Sequence, residues 1–145
     1  MKESLIQQMK VILGTNFGFY LKAHNYHWNV EGPDFAQYHD FLGNLYTAIF
    51  NNVDIIAEKI RMLGSYTPGS MQRFLELCAI EEASTVPDAV TMLRQLSDDN
   101  DRFIIQLRAG IVAAGNADEP AIENFLQDLL DQHQKHAWML KSLIK

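Results

Sequence analysis

With 145 residues, 48% of them apolar and only four prolines, the chain is long enough for one self-sufficient core and too apolar to stay disordered. One cysteine, Cys78, excludes an internal disulfide framework or a cysteine-based zinc cluster within a chain, and fits a reducing cytoplasm. The formal charge is −6 and the twelve Lys and Arg residues are scattered, which argues against a dedicated nucleic-acid face; no run approaches the roughly 18 apolar residues a membrane span needs.

Residues 3–29 read as a first helix. Ile6, Met9, Leu13, Phe17, Tyr20, His24 and His27 recur at steps of three or four, one helical stripe, so both histidines are expected on the inward face. Glu31-Gly32-Pro33-Asp34 is a turn, with Asp34 placed to cap the next helix. So short a connection makes the first two helices an antiparallel hairpin. The second helix is expected as one unbroken element over 35–63. Tyr38, Leu42, Leu45, Ile49, Ile56 and Leu63 form its stripe, while Phe41, Phe50, Val53 and Ile60 lie outside it. Apolar cover on more than one side suits a helix with a partner on its outer flank. Residues 65–85 are too long for a direct link between antiparallel neighbours. A short helix over 71–78, after Thr67-Pro68-Gly69-Ser70, is expected inside that link.

The third helix runs about 87–114, with Pro87 in its first turn and Gly115-Asn116 as its stop. Its stripe is Val90, Leu93, Leu96, Ile104, Leu107 and Ile111; Asp98, Asp99 and Asp101 interrupt it as a solvated acidic segment. The fourth begins at Asp118-Glu119-Pro120 and buries Ile122, Leu126, Leu129, His133, Leu140 and Ile144. The fold class is therefore all-α: one domain over 1–145, a ferritin-like four-helix bundle with a short extra helix in the long crossover between the second and third long helices.

His27, His39, Asp54 and Glu58 are ligand types that suit a first-row metal. On a helix beginning at Phe35, Asp54 and Glu58 fall within roughly 100° of His39 around the axis. Along the axis, His39 and Asp54 are fifteen steps of about 1.5 Å apart, or about 22 Å, too far for one ion. Either the groups are unrelated, with a hydrogen-bonded core histidine and an ordinary charged face, or an antiparallel second copy brings one chain's carboxylates to the other's histidines. The apolar neighbours Val53, Ile56 and Ala57 suggest a buried Asp54 in need of a counter-charge. Glu-x-x-His and His-Glu-x-x-His motifs are absent, which excludes a single-chain di-iron centre or zinc protease of those types. His133 and His136 could hold a surface metal but read more simply as core or solvated residues.

Lys22-Ala23-His24-Asn25-Tyr26-His27-Trp28-Asn29-Val30-Glu31-Gly32, the second histidine His39, Asp54-x-x-x-Glu58 before Leu63-Gly64, and Lys135-His136-Ala137-Trp138-Met139-Leu140 together resemble the Dps family, the mini-ferritins. The resemblance covers essentially the whole chain. It implies a hollow homododecamer that binds Fe(II) at each two-fold interface, oxidises it preferentially with hydrogen peroxide and stores ferric iron against oxidative stress. His27 and His39 would come from one subunit, Asp54 and Glu58 from its mate, with Trp28 beside the site and zinc as an alternative metal in vitro. Asp118, Glu119 and Glu123 match the region of the family's acidic pores. The chain departs from the pattern at Gly43, where the family has an aspartate, so the second iron position loses a carboxylate. One well-occupied iron per site and slower oxidation are expected, as is a gain on Gly43→Asp. The alternative is a metal-binding cage with weak or lost ferroxidase activity. Lacking a lysine-rich tail, the chain is not expected to bind DNA, whose affinity rests on phosphate neutralisation.

Overall fold

The computed structural model describes residues 1–145 and contains six helices: α1 (Lys2–Asn29), α2 (Phe35–Phe50), α3 (Val53–Met62), α4 (Met71–Leu77), α5 (Ala89–Asn116) and α6 (Pro120–Leu143). α1, the α2–α3 rod, α5 and α6 make the four-helix bundle, and α4 lies in the crossover against α1. Ser70 caps α4 by accepting a hydrogen bond from the Arg73 amide. No helix is long and apolar enough to cross a membrane.

The second helix departs from expectation by breaking at Asn51–Asn52. The cause is Asn16, fully buried on α1, whose side-chain amide donates to the carbonyl of Ile49 at 3.0 Å. That carbonyl also receives the Asn52 amide at 3.2 Å, a three-residue bond in place of the four-residue ladder. A side chain inserted into the ladder bends a helix. Both Asn51 and Asn52 keep right-handed dihedrals, so α3 continues from α2 as a kinked rod. Asn52 then hydrogen-bonds Gln132 at 3.1 Å, tying the kink to α6.

Ile6, Met9 and Leu13 of the expected α1 stripe are buried, but from Asn16 onward the core-facing line is Asn16, Phe19, Ala23 and Tyr26, one flank away from the rest of that stripe. Phe17, Tyr20, His24 and His27 are half-buried. Pro87 lies outside α5, whose cap is Asp88, accepting from the Thr91 amide at 2.8 Å. Gly115 and Asn116 remain helical, and the chain turns at Asp118, with φ 55°. Asp34 is at the N-cap position of α2 but makes no side-chain cap bond.

One expected surface feature is interior, and His133 is buried as its place on the α6 stripe implies. Asp99 is 2% exposed and lies 2.8 Å from the Lys22 ammonium, so the acidic segment is not uniformly solvated. Its neighbours Asp98 and Asp101 are exposed, the latter paired with Lys141 at 2.9 Å. His133 is fully buried, with Nδ1 2.8 Å from Asn100 Oδ1, while the Asn100 amide donates to the His133 carbonyl at 2.9 Å. Desolvation pushes His133 well below the usual imidazole range, and burial, with help from Lys135, lowers His136 to about 4.

Both folded pKa values lie below the unfolded value near 6.5. The unfolded chain therefore binds more protons on acidification. Stability is complete above about pH 6.5 and falls below it, levelling for His136 near its folded value. Between pH 7 and 5, His136 alone is expected to cost about 2 kcal/mol. Denaturant midpoints for wild type and His136→Gln check this; equal acid slopes would refute it.

Candidate metal centre

The turn joining α1 to α2 is closed by a reciprocal pair of hydrogen bonds. His27 Nδ1 lies 2.7 Å from the His39 carbonyl oxygen, and His39 Nδ1 lies 2.7 Å from the His27 carbonyl oxygen. A carbonyl only accepts, so each Nδ1 carries its proton, and in the neutral ring the lone pair is on Nε2. The rings stack with centroids 3.8 Å apart and planes 17° from parallel. Both are half-buried. Metal-ligating imidazoles are held in this way: one nitrogen fixes tautomer and direction, leaving the other for the ion. The donor set thus fits a divalent first-row cation.

Gly43 belongs to this arrangement in a way its missing carboxylate did not suggest. It lies one turn after His39, and a Cβ there would sit 3.0 Å from His27 Cε1 and 3.2 Å from His27 Nδ1. The imidazole occupies the space a side chain would claim. Gly43→Ala is expected to displace the ring by a few tenths of an ångström, strain its bond to the His39 carbonyl and weaken Co(II) binding several-fold. Calorimetric titration checks this; unchanged affinity would mean that the ring yields freely. A gain from Gly43→Asp therefore requires the added carboxylate to offset the loss from moving His27.

Behind the pair lies an aromatic layer. The His24 ring stacks on Tyr46 at 3.7 Å with an interplanar angle of 7°, and meets Trp28 in a tilted contact at 3.8 Å. Tyr46 is 5.2 Å from the His27 ring. Trp28, 58% exposed, therefore touches His24, one ring removed from His27. Tyr20 Oη is 2.9 Å from His24 Nδ1. Desolvation, with the nearby His27, lowers the His24 pKa. Sequence reasoning missed Tyr46, although the i,i+4 spacing of Tyr20 and His24 was visible.

Asp54 and Glu58 stand one turn apart on α3, and both are exposed, contrary to the burial expected of Asp54 within its own chain. The fold does not gather them with the histidines: no three His, Cys, Asp or Glu side chains cluster to hold an ion within one chain. Phe50, Ile55 and Met62, exposed by 48%, 43% and 72%, leave the same rod with an apolar outer flank. At the α5–α6 turn, Asp118 is exposed while Glu119 and Glu123 are half-buried. His133 is buried and His136 half-buried, with rings 5.1 Å apart and no third ligand-type side chain gathered beside them, contrary to a surface metal site.

Residues 6–145 match the family model for the ferritin-like domain. The chain is 32% identical over 125 residues to DNA protection during starvation protein 2 of Bacillus anthracis, covering 86% of each. It is 30% identical over 149 residues to the DNA protection during starvation protein of Brevibacillus brevis, covering 100% of each. It superposes on the crystal structure of Dps from Staphylococcus aureus with a TM-score of 0.94 at 30% identity, covering 99% of this chain and 96% of the other.

Proposed function

This chain belongs to the Dps family of ferritin-like proteins, and on that premise we propose that it is an iron-sequestering ferroxidase whose sites are shared between paired subunits. The observation that carries this reading is the reciprocal His27–His39 lock, in which each Nδ1 is taken up by a carbonyl and Nε2 is the nitrogen left for an ion. Asp54 and Glu58 of a second copy, antiparallel across a two-fold axis, complete the ligand set. The apolar flank of Phe50, Ile55 and Met62 supplies surface for that pairing. Fe(II) is the substrate, with hydrogen peroxide the preferred electron acceptor. The two carboxylates favour the ferric product, because hard oxygen ligands stabilise the higher charge. Six such pairs make the proposed hollow dodecamer, in which ferric iron is kept from further reaction.

Asp118, Glu119 and Glu123 form the proposed cation entry, raising local Fe(II) concentration by their negative field. Zinc is a competitor at the histidine–carboxylate site. Protection by this chain works through iron and peroxide and not through DNA, since chains of net charge −6 repel phosphate. A second reading, a cage with weak oxidation, is favoured by Gly43, which withholds a carboxylate from a second iron.

The test is peroxide-driven Fe(II) oxidation. Wild type is expected to outpace His27→Ala by well over about 10-fold, the lower end of what even an outer-shell loss costs. Equal rates would favour the weak-oxidation cage.

A further inference from the structure

A site with one well-held iron has an electron shortfall. Reducing hydrogen peroxide to two hydroxides takes two electrons, and one Fe(II) gives one. Beside the proposed site the chain carries an oxidisable group hydrogen-bonded to an imidazole nitrogen, which accepts its proton when His24 is the Nε2–H tautomer. The Tyr20 phenol reaches His24 Nδ1 at 2.9 Å. His24 lies face to face with Tyr46 at 3.7 Å, and Tyr46 is 5.2 Å from His27, so rings in near contact lead from the phenol to the proposed ligand. Tyr20 is half-buried, and its ring is enclosed by Phe17 at 5.6 Å and Phe50 at 4.8 Å, which limits access to solutes.

We infer that Tyr20 and His24 form a redox-active pair, in which Tyr20 supplies the second electron to peroxide and His24 takes its proton. This rests on the ferroxidase reading above. In the step, the O–O bond breaks, Fe(II) becomes Fe(III), the Tyr20 O–H bond breaks and an N–H bond forms at His24 Nδ1. One Fe(II), one hydrogen peroxide and one tyrosine give one Fe(III), two hydroxides, one neutral tyrosyl radical and one imidazolium. A further Fe(II) restores the tyrosine as it is oxidised in turn, and His24 returns the proton. Tyr46 lacks this capacity because it meets His24 through its ring face. Trp28 meets His24 through a tilted ring contact and has no hydrogen-bonded proton acceptor.

The experiment has two arms on the assembled protein, both read by freeze-quenched electron paramagnetic resonance. In the first, Fe(II) and peroxide are mixed with wild type, Tyr20→Phe and His24→Phe. In the second, the metal-free protein is photo-oxidised with ruthenium tris-bipyridyl and persulfate. The expected result is a tyrosyl signal in both arms, reduced several-fold in each variant, with slower wild-type formation in deuterium oxide. A signal unchanged in Tyr20→Phe, or unchanged in His24→Phe without an isotope effect, would overturn the pair. If the photochemical signal survives and the iron-driven one is absent, the delivery of an electron to peroxide is overturned and the fault lies with the ferroxidase reading. Loss of the photochemical signal with Fe(II) oxidation intact overturns the pair alone.

Discussion

Cages assembled from equal amounts of His27→Ala and Glu58→Ala chains are expected to recover Fe(II) oxidation that neither variant shows alone. His39 and Asp54 are about 22 Å apart along the rod, so the histidines and carboxylates of one chain cannot share an ion. If two-fold pairing completes the site, a mixed pair contains one site with both defects and one with none. Random pairing makes half the pairs mixed, so about a quarter of all sites are restored by symmetry. Mixing unfolded chains before refolding and measuring peroxide-driven oxidation checks this. A mixture no better than the average of its parents would place the ligands elsewhere. The mixture carries the same two substitutions as its parents, so recovered activity separates a shared site from any loss of stability that His27→Ala causes.

Lys22→Met is expected to be the most damaging single change to stability. Lys22 Nζ lies 2.8 Å from Asp99 Oδ2 and donates to the Glu81 carbonyl at 2.9 Å, with the two side chains 6% and 2% exposed. Burial pushes the Asp99 carboxyl up, and the ammonium works against that shift; Arg102, at 3.4 Å, adds a weaker contact from the surface. Removing Lys22 leaves a carboxylate with its main partner gone, at a cost of about 3–5 kcal/mol. Replacing both partners, as Lys22→Met with Asp99→Leu, is expected to recover most of that loss, because a buried pair contributes little over a well-packed apolar one. Urea unfolding at fixed protein concentration checks this. Similar midpoints for wild type and Lys22→Met would show that water reaches Asp99.

The helices were legible because each carries a long apolar period, and α4 because Ser70 follows a proline and glycine. What escaped notice was polar and tertiary. Nothing local in Asn16 says that its amide will seek the Ile49 carbonyl and bend the opposite rod. Asp99 sits between two exposed aspartates, and only its distant partner Lys22 marks it as interior. At the candidate metal centre, residue types and spacing pointed to His27, His39, Asp54 and Glu58. The fold adds the lock between the two histidines and the close approach of the His27 ring to Gly43. The first is a backbone contact across a turn and the second a volume claimed by a ring, neither of which sequence periodicity encodes.

The lock also changes what a knockout at this position means. The same two contacts that aim the imidazoles stitch the ends of the 30–34 turn together. Taking away either ring unpicks that seam as well as deleting a donor atom, so an inert histidine variant is ambiguous evidence for coordination. Glu58, far along the rod from the seam, is the cleaner residue to cut.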